Sequence, residues 1–305
     1  MKINFTSLIK CLFTCIVVFA SLTQLCVAHE VDDLKAQAKQ GDLMAMFKLG
    51  ALYYNGKNVP LDPKQIVTYH TRTANSGDTK AQFNLGIIYS EGKLVPQDYA
   101  QAILWYTKAA NQGDVNAQFN LGLMYHLGKG IAKDSQQAIH WYTKAANQGE
   151  IKAQFNLGNL YYTGENIPKD YAQAIYWYTK AALQGDARAQ AYLGFSYYSG
   201  QGVAQDYKLA LEWYRKSAQQ NNKAAQMGIG YMSAHGSGIS QSYVVSLAAF
   251  NTAVLEGSAA DQEKLMQRMS PSDIEAAKLL TSEMIKPNNF IKALDDYLAK
   301  EIPKQ

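Results

Sequence analysis

The chain has 305 residues, 48% of them hydrophobic and 18% charged, a composition that excludes a disordered or fibrous protein. Its formal charge of +4 loses two units with Lys2 and Lys10 of a predicted leader, so no strong basic field remains and nucleic acid is excluded as an expected partner. Cys11, Cys15 and Cys26 all lie in that leader, which leaves the rest without a disulfide partner or a thiolate metal site.

Residues 1–28 read as a signal peptide. Lys2 and Lys10 form a basic start, Cys11 to Ala20 an apolar core, and Cys26-Val27-Ala28 a small-x-small cleavage site. The core is too short, and too interrupted by Thr14, Ser21, Thr23 and Gln24, to predict a membrane span. Cleavage near Ala28 is expected, with an uncleaved anchor as the alternative; the protein would then be periplasmic or secreted. A capping helix is predicted over 29–41, ending at Gly41-Asp42.

From there the chain repeats itself. AQFNLG stands at Ala81, Ala117 and Ala153, with weaker copies at Ala45, Ala189 and Ala225, always 36 residues apart. Self-similarity at a fixed period of this size predicts a solenoid whose units bury their apolar faces by stacking. Six units are expected over 42–257 (42–77, 78–113, 114–149, 150–185, 186–221 and 222–257), forming one elongated domain.

Each unit reads as two helices. In the first, Ala117, Leu121 and Tyr125 share one face. Gly122 and its equivalents sit beside that stripe, which predicts close helix contact with no side chain between. Gly128 ends the helix, and a loop follows with one apolar residue, such as Val95 or Ile131, as a plug. The second helix starts at Asp62, Asp98, Asp134, Asp170 or Asp206, with Gln65, Gln101, Gln137 and Gln173 three residues later; this spacing predicts capping boxes. Trp105, Trp141, Trp177 and Trp213 occupy one slot and read as core side chains that staple adjacent units. A Gly-Asp pair then turns the chain into the next unit.

Beyond the sixth unit, 258–305 reads as C-terminal capping helices. One runs from Ser258 to Met269, one opens with Ser270-Pro271 and reaches about Ile285, and a last one spans Asn289 to Lys300.

The pattern Ala-x-x-x-Leu-Gly-x-x-Tyr, then Gly, a hydrophobic residue, Asp and Ala-x-x-Trp-Tyr-x-Lys-Ala-Ala-x-x-Gly resembles the Sel1-like repeat, a relative of the tetratricopeptide repeat. The resemblance spans roughly residues 31 to 285. It implies an all-α, right-handed superhelical solenoid of antiparallel helix pairs that acts as a protein-binding scaffold, and exported bacterial members are associated with envelope assembly and host contact. The sixth unit departs from the pattern, with Ala249 for Trp, Thr252 for Lys and Ser233 for Tyr, which puts its stacking face in question.

If Ala81, Leu85 and Tyr89 face the partner helix, then Phe83, Ile87 and Ser90 lie opposite; the likeness to tetratricopeptide repeats assigns that side to the concave surface. The candidate partner-binding stripe is Phe83, Ile87, Phe119, Leu123, His126, Phe155, Asn159, Tyr162, Phe195 and Tyr198, with Ala191, Met227 and Tyr231 continuing it. It would take an extended or helical apolar segment of another protein. Alternatively, the phenylalanines pack sideways against the next unit.

Enzyme readings are weaker. The histidines are scattered without metal-binding spacing, and no cofactor motif is present. Ser90-Glu91-Gly92-Lys93 matches a Ser-x-x-Lys acylation motif, but that motif needs its serine at a helix start, and Ser90 is predicted to end one. Peptidoglycan or β-lactam binding or hydrolysis, with cell-wall or surface association, is the alternative function.

Overall fold

The computed structural model describes residues 30–54, 63–253 and 258–301. The predicted leader falls outside them, as do Gly56, Val59 and the cap expected at Asp62. Among the described residues there are 16 helices and no strand, and no helix is long and apolar enough to cross a membrane.

The chain divides into two compact units, residues 1–133 and 134–305, where one elongated domain was expected. A stacked array has only nearest-neighbour interfaces and lacks a single central core to bind its parts into one body. The first unit holds α1 (30–39), α2 (Leu43–Tyr54), α3 (Pro63–Asn75), α4 (Thr79–Glu91), α5 (Tyr99–Asn111) and α6 (Val115–Leu127). The second holds α7 (Ser135–Asn147), α8 (Ile151–Thr163), α9 (Tyr171–Leu183), α10 (Ala187–Ser199), α11 (Tyr207–Gln219), α12 (Lys223–His235), α13 (Tyr243–Ala253), α14 (Ser258–Met266), α15 (Pro271–Met284) and α16 (Phe290–Glu301). The division cuts the third repeat between its two helices.

The turn between repeats is built from two residues. At the end of α9, the Gly185 N–H donates to the Ala182 carbonyl and the Asp186 N–H to the Ala181 carbonyl, the Schellman arrangement, which requires the positive φ of +94° at Gly185. Asp186 then caps α10 by accepting from the N–H groups of Arg188 and Ala189. One Gly-Asp pair thus satisfies the orphan groups of two helix ends.

The caps of the second helices differ from the expected box. The Asp170 carboxylate accepts from the Gln173 N–H, but the Asp170 N–H is already donated to the Tyr161 carbonyl at 2.9 Å, so Gln173 has no orphan donor to reach. Asp98 does the same with Tyr89, and Asp206 with Tyr197. This bond clasps the loop against the end of the first helix. Replacing Asp170 by alanine is expected to cost about 1 kcal/mol, measurable by urea unfolding.

The glycine beside the Leu stripe has a different cause from the one expected. A Cβ on Gly158 would stand 2.5 Å from Cδ1 of Tyr178, and one on Gly86 would stand 2.4 Å from Tyr106. An aromatic ring from the second helix therefore fills the space that the missing side chain leaves. Trp105, Trp141 and Trp177 are buried; Trp105 packs with Ala74 of the preceding repeat. The lysines three residues on fold back over them, with Lys108 Nζ 4.0 Å from the Trp105 ring centre and Lys144 4.5 Å from that of Trp141.

A second periodic device went unread in the sequence. Buried Gln154 donates its amide to the Ala146 carbonyl at the end of α7 (3.0 Å) and accepts from the Gln184 amide of α9 (2.8 Å). Gln190 and Gln220 repeat the relay with the Ala182 carbonyl, and Gln82 and Gln112 with that of Ala74. Each relay gives a helix-end carbonyl, already bonded by the N–H of the turn glycine, a second hydrogen bond and ties three helices together. The signal was the glutamine after the recurrent alanine.

The sixth repeat stacks despite its departures. Ser233 is buried, and its hydroxyl donates to the Ser242 carbonyl while the Ser242 N–H donates to the Ser233 carbonyl, so the loop clasp survives without tyrosine. With Ala249 in the tryptophan slot, α13 is buried along nearly its whole length and α15 packs on it. The α15 cap is a true capping box between Ser270 and Asp273. Phe290 and Leu294 of α16 are buried in the same core, and Arg215 of α11 pairs with Asp295; α16 therefore seals this end of the second unit.

Candidate functional site

The predicted stripe is not a freely exposed ridge. Phe83 and Ile87 of α4, Phe119, Leu123 and His126 of α6, and Phe155, Asn159 and Tyr162 of α8 are all half-buried. The Phe83 ring lies 5.8 Å from that of Tyr106, and Ser90 Oγ is 3.2 Å from the Tyr106 hydroxyl. These side chains therefore flank the aromatic ring of their own second helix, which was expected to face the other way. Phe155 touches both its hairpin partner Tyr178 (5.8 Å) and Tyr192 of the next repeat (5.9 Å), with the Arg188 guanidinium 4.0 Å above its ring. At Phe155 the sideways packing against the next unit is what the structure shows.

The stripe opens at one place. Phe195 on α10 is 40% exposed and, with Tyr162 and Tyr198, lines a cavity of about 550 Å³ within the second unit, walled further by Tyr192, Tyr214, Met227 and Tyr231. This is the size range of a small-ligand or side-chain pocket. The sequence stripe contained Met227 and Tyr231 but missed Tyr192 and Tyr214. Tyr214 comes from the second helix, outside the first-helix stripe.

The cavity exists because three large side chains are absent. Stepping the Phe155 environment forward by 36 residues puts Ala191 where Phe155 stands, Ala224 where Arg188 stands and Gly228 where Tyr192 stands, and all three line the cavity. Gly228 leaves room for the Tyr214 ring, whose Cζ would lie 2.5 Å from a Cβ there. The readable signal was departure from the repeat.

The lining holds no Asp, Glu, Lys or Arg. Burial pushes the Tyr214 phenol well above its ordinary value, helped by the neighbouring Tyr198 and Tyr162. Tyr178, stacked on Tyr192 at 4.8 Å, is likewise raised by burial and then by Tyr192 and Tyr162. Tyr231 is raised to about 12, first by donating its hydroxyl to Asp261, then by burial. Tyr162 donates to Gln201 Oε1 at 3.0 Å. The site can offer aromatic faces and a few phenol groups.

No catalytic constellation accompanies it. Ser90 Oγ donates to the Ile87 carbonyl at 2.9 Å, and Lys93 Nζ pairs with Glu91 at 2.9 Å; the Ser-x-x-Lys match sits at the end of α4, ahead of the left-handed Gly92. Among the described residues no group of three or more His, Cys, Asp and Glu converges as a metal site would require.

The Sel1 repeat profile matches residues 43–78, 79–114, 115–150, 151–186, 187–222 and 223–258. Among solved structures, the chain is similar to c5321 of uropathogenic Escherichia coli, a protective antigen with an SLR fold: 33% identity, TM-score 0.69, covering 83% of this chain and 57% of that one. It thus spans little more than half of that protein. It is also similar to a Sel1 repeat protein from Oxalobacter formigenes, with 35% identity, TM-score 0.57, and coverage of 70% of this chain and 87% of that one. No curated protein matches the chain. Six consecutive profile matches over a helix-pair fold of the same period show that this chain belongs to the Sel1 repeat family.

Proposed function

We propose that the protein is an exported scaffold that binds another protein through its first-helix face, with the cavity between α8, α10 and α12 as the anchoring site. The observation that carries this reading is the opening of an otherwise packed aromatic stripe at Ala191, Ala224 and Gly228. A pocket lined by rings is the form that interface hot spots take, and Sel1 repeat proteins generally bind other proteins. The basic, apolar and small-residue succession of residues 1–28 supports export, and a role in envelope assembly or host contact would follow from it. The related E. coli protein is a protective antigen, which fits a location outside the cytoplasm.

A photo-crosslinking residue at position 195 is expected to capture the partner in living cells, while one at exposed Glu212 on α11 is not. Ala191→Phe restores the side chain found at Phe119 and Phe155, so the fold should tolerate it. It should fill the pocket and weaken the partner by about thirtyfold, the scale of a lost anchor. Equal capture from both positions, or capture indifferent to Ala191→Phe, would refute the site. Export is checked separately: the mature chain should begin at His29.

A further inference from the structure

The repeat before the cavity shows what a filled version looks like. There the Arg188 guanidinium lies 4.0 Å from the Phe155 ring centre, held by Asp186 at 2.7 Å, beside the stacked rings of Tyr178 and Tyr192. One period on, Tyr198 and Tyr214 keep the places of Tyr162 and Tyr178, but Ala224 replaces the arginine and Ala191 the ring beneath it. Elsewhere this chain covers its aromatic faces with its own cations, as at Trp105, Trp141 and Trp213. The cavity has rings and no lysine or arginine among its lining residues.

We infer that the cavity receives an arginine side chain from the bound protein segment, which supplies in trans the guanidinium that Arg188 supplies in cis one repeat earlier. This rests on reading the cavity as a partner-binding site and adds the chemistry of the anchor. Phenol and phenyl faces carry the negative part of the ring quadrupole, and a planar guanidinium stacks on them while shedding less hydration than an ammonium. Tyr231 strengthens this wall: donating its hydroxyl to Asp261 moves electron density toward the ring. Asn222 stands where Asp186 holds Arg188, so the site has vacated the arginine together with its acidic partner, and the guest's charge is met by the rings alone.

The test titrates the full chain, with its tyrosine rings isotope-labelled, with N-acetyl-arginine amide, N-acetyl-citrulline amide and N-acetyl-phenylalanine amide, reading ring signals by NMR. Citrulline keeps the shape of arginine and removes the charge. Arginine amide is expected to bind about tenfold more tightly than citrulline amide, the size of a partly desolvated cation–π contact, and to shift the Tyr198 and Tyr214 signals. Ala224→Arg should abolish that binding by refilling the place in cis; Ala191→Phe is the second variant should Ala224→Arg not fold. Equal binding of arginine and citrulline amides, tighter binding of the phenylalanine amide, no binding at all, or binding that survives the refilling variant each overturn the inference. Crosslinked partner at position 195 without an arginine preference would sink this inference and leave the scaffold reading standing; arginine binding without any captured partner would overturn the scaffold reading, and with it the protein source of the arginine, while leaving the cavity's guanidinium preference.

Discussion

Gly158→Ala should lower the stability of the second unit by about 2 kcal/mol, although alanine is the better helix former by about 1 kcal/mol. The new Cβ would stand 2.5 Å from Tyr178 Cδ1, and the ring has nowhere to retreat: Tyr178 is fully buried and stacked on Tyr192 at 4.8 Å with 14° between planes. Overpacking of a rigid core site costs about 1–3 kcal/mol, occasionally more, which outweighs the propensity gain. Gly185→Ala is the control. Nothing lies within 4 Å of its Cβ, so it should lose only about 1 kcal/mol from its left-handed backbone. Combining Gly158→Ala with Tyr178→Leu should lose less than the sum of the two, because the substitutions relieve each other. Urea unfolding of the four variants decides the matter; a Gly158→Ala protein as stable as the parent would mean the glycine is not there for the ring.

The first repeat should be acid-sensitive in a way the others are not. His70 occupies the tyrosine slot, its ring where a Gly50 Cβ would be (2.2 Å from Nε2) and edge-on to Phe47. Its Nδ1 is buried without a hydrogen-bond partner. Burial lowers its pKa from 6.5 to about 4, against smaller upward pulls from the Gly50 backbone and Asp78. Above pH 6.5 the imidazole is neutral in both folded and unfolded chains and contributes nothing to pH dependence. Between 6.5 and 4 the unfolded chain takes a proton that the folded one refuses, so stability falls with pH, by about 3 kcal/mol once pH is below both values. Hydrogen-exchange protection factors in α2 and α3, which correct for the pH dependence of intrinsic exchange, should therefore fall between pH 6.5 and 4 in the parent, and much less in His70→Tyr, which removes the titrating group and restores the ring of the other repeats. Parallel pH profiles in the two proteins would rule the mechanism out, since carboxylates common to both would then carry the effect.

These two sites show which part of the architecture could be read from the chain. The step of 36 residues, the Gly-Asp turns and the Ser270-Pro271 opening of α15 each report a local requirement, a positive φ or an orphan amide, that only a few residue types meet. Local chemistry of this kind is written in local sequence. The recurrence of Gly158 was equally visible, but its reason was not, because the ring that needs the space comes from a residue 20 positions away, Tyr178. The same limit explains the capping boxes: Gln173 has the right spacing, but a carbonyl from the preceding helix, that of Tyr161, had already taken the Asp170 N–H.

The candidate site divides along the same line. The amino-acid order by itself determined that the protein is a repeat of helix pairs and that aromatic residues run along its first helices, since a period and a helical spacing are properties of one dimension. Only the folded chain decided which of those rings are spent on packing and which are left facing a space. Phe155 lies between Tyr178, Tyr192 and Arg188, whereas Phe195 looks into a cavity because Ala191, Ala224 and Gly228 fail to fill it. A void is the absence of side chains contributed by separate helices, and it comes into being only when those helices are brought side by side.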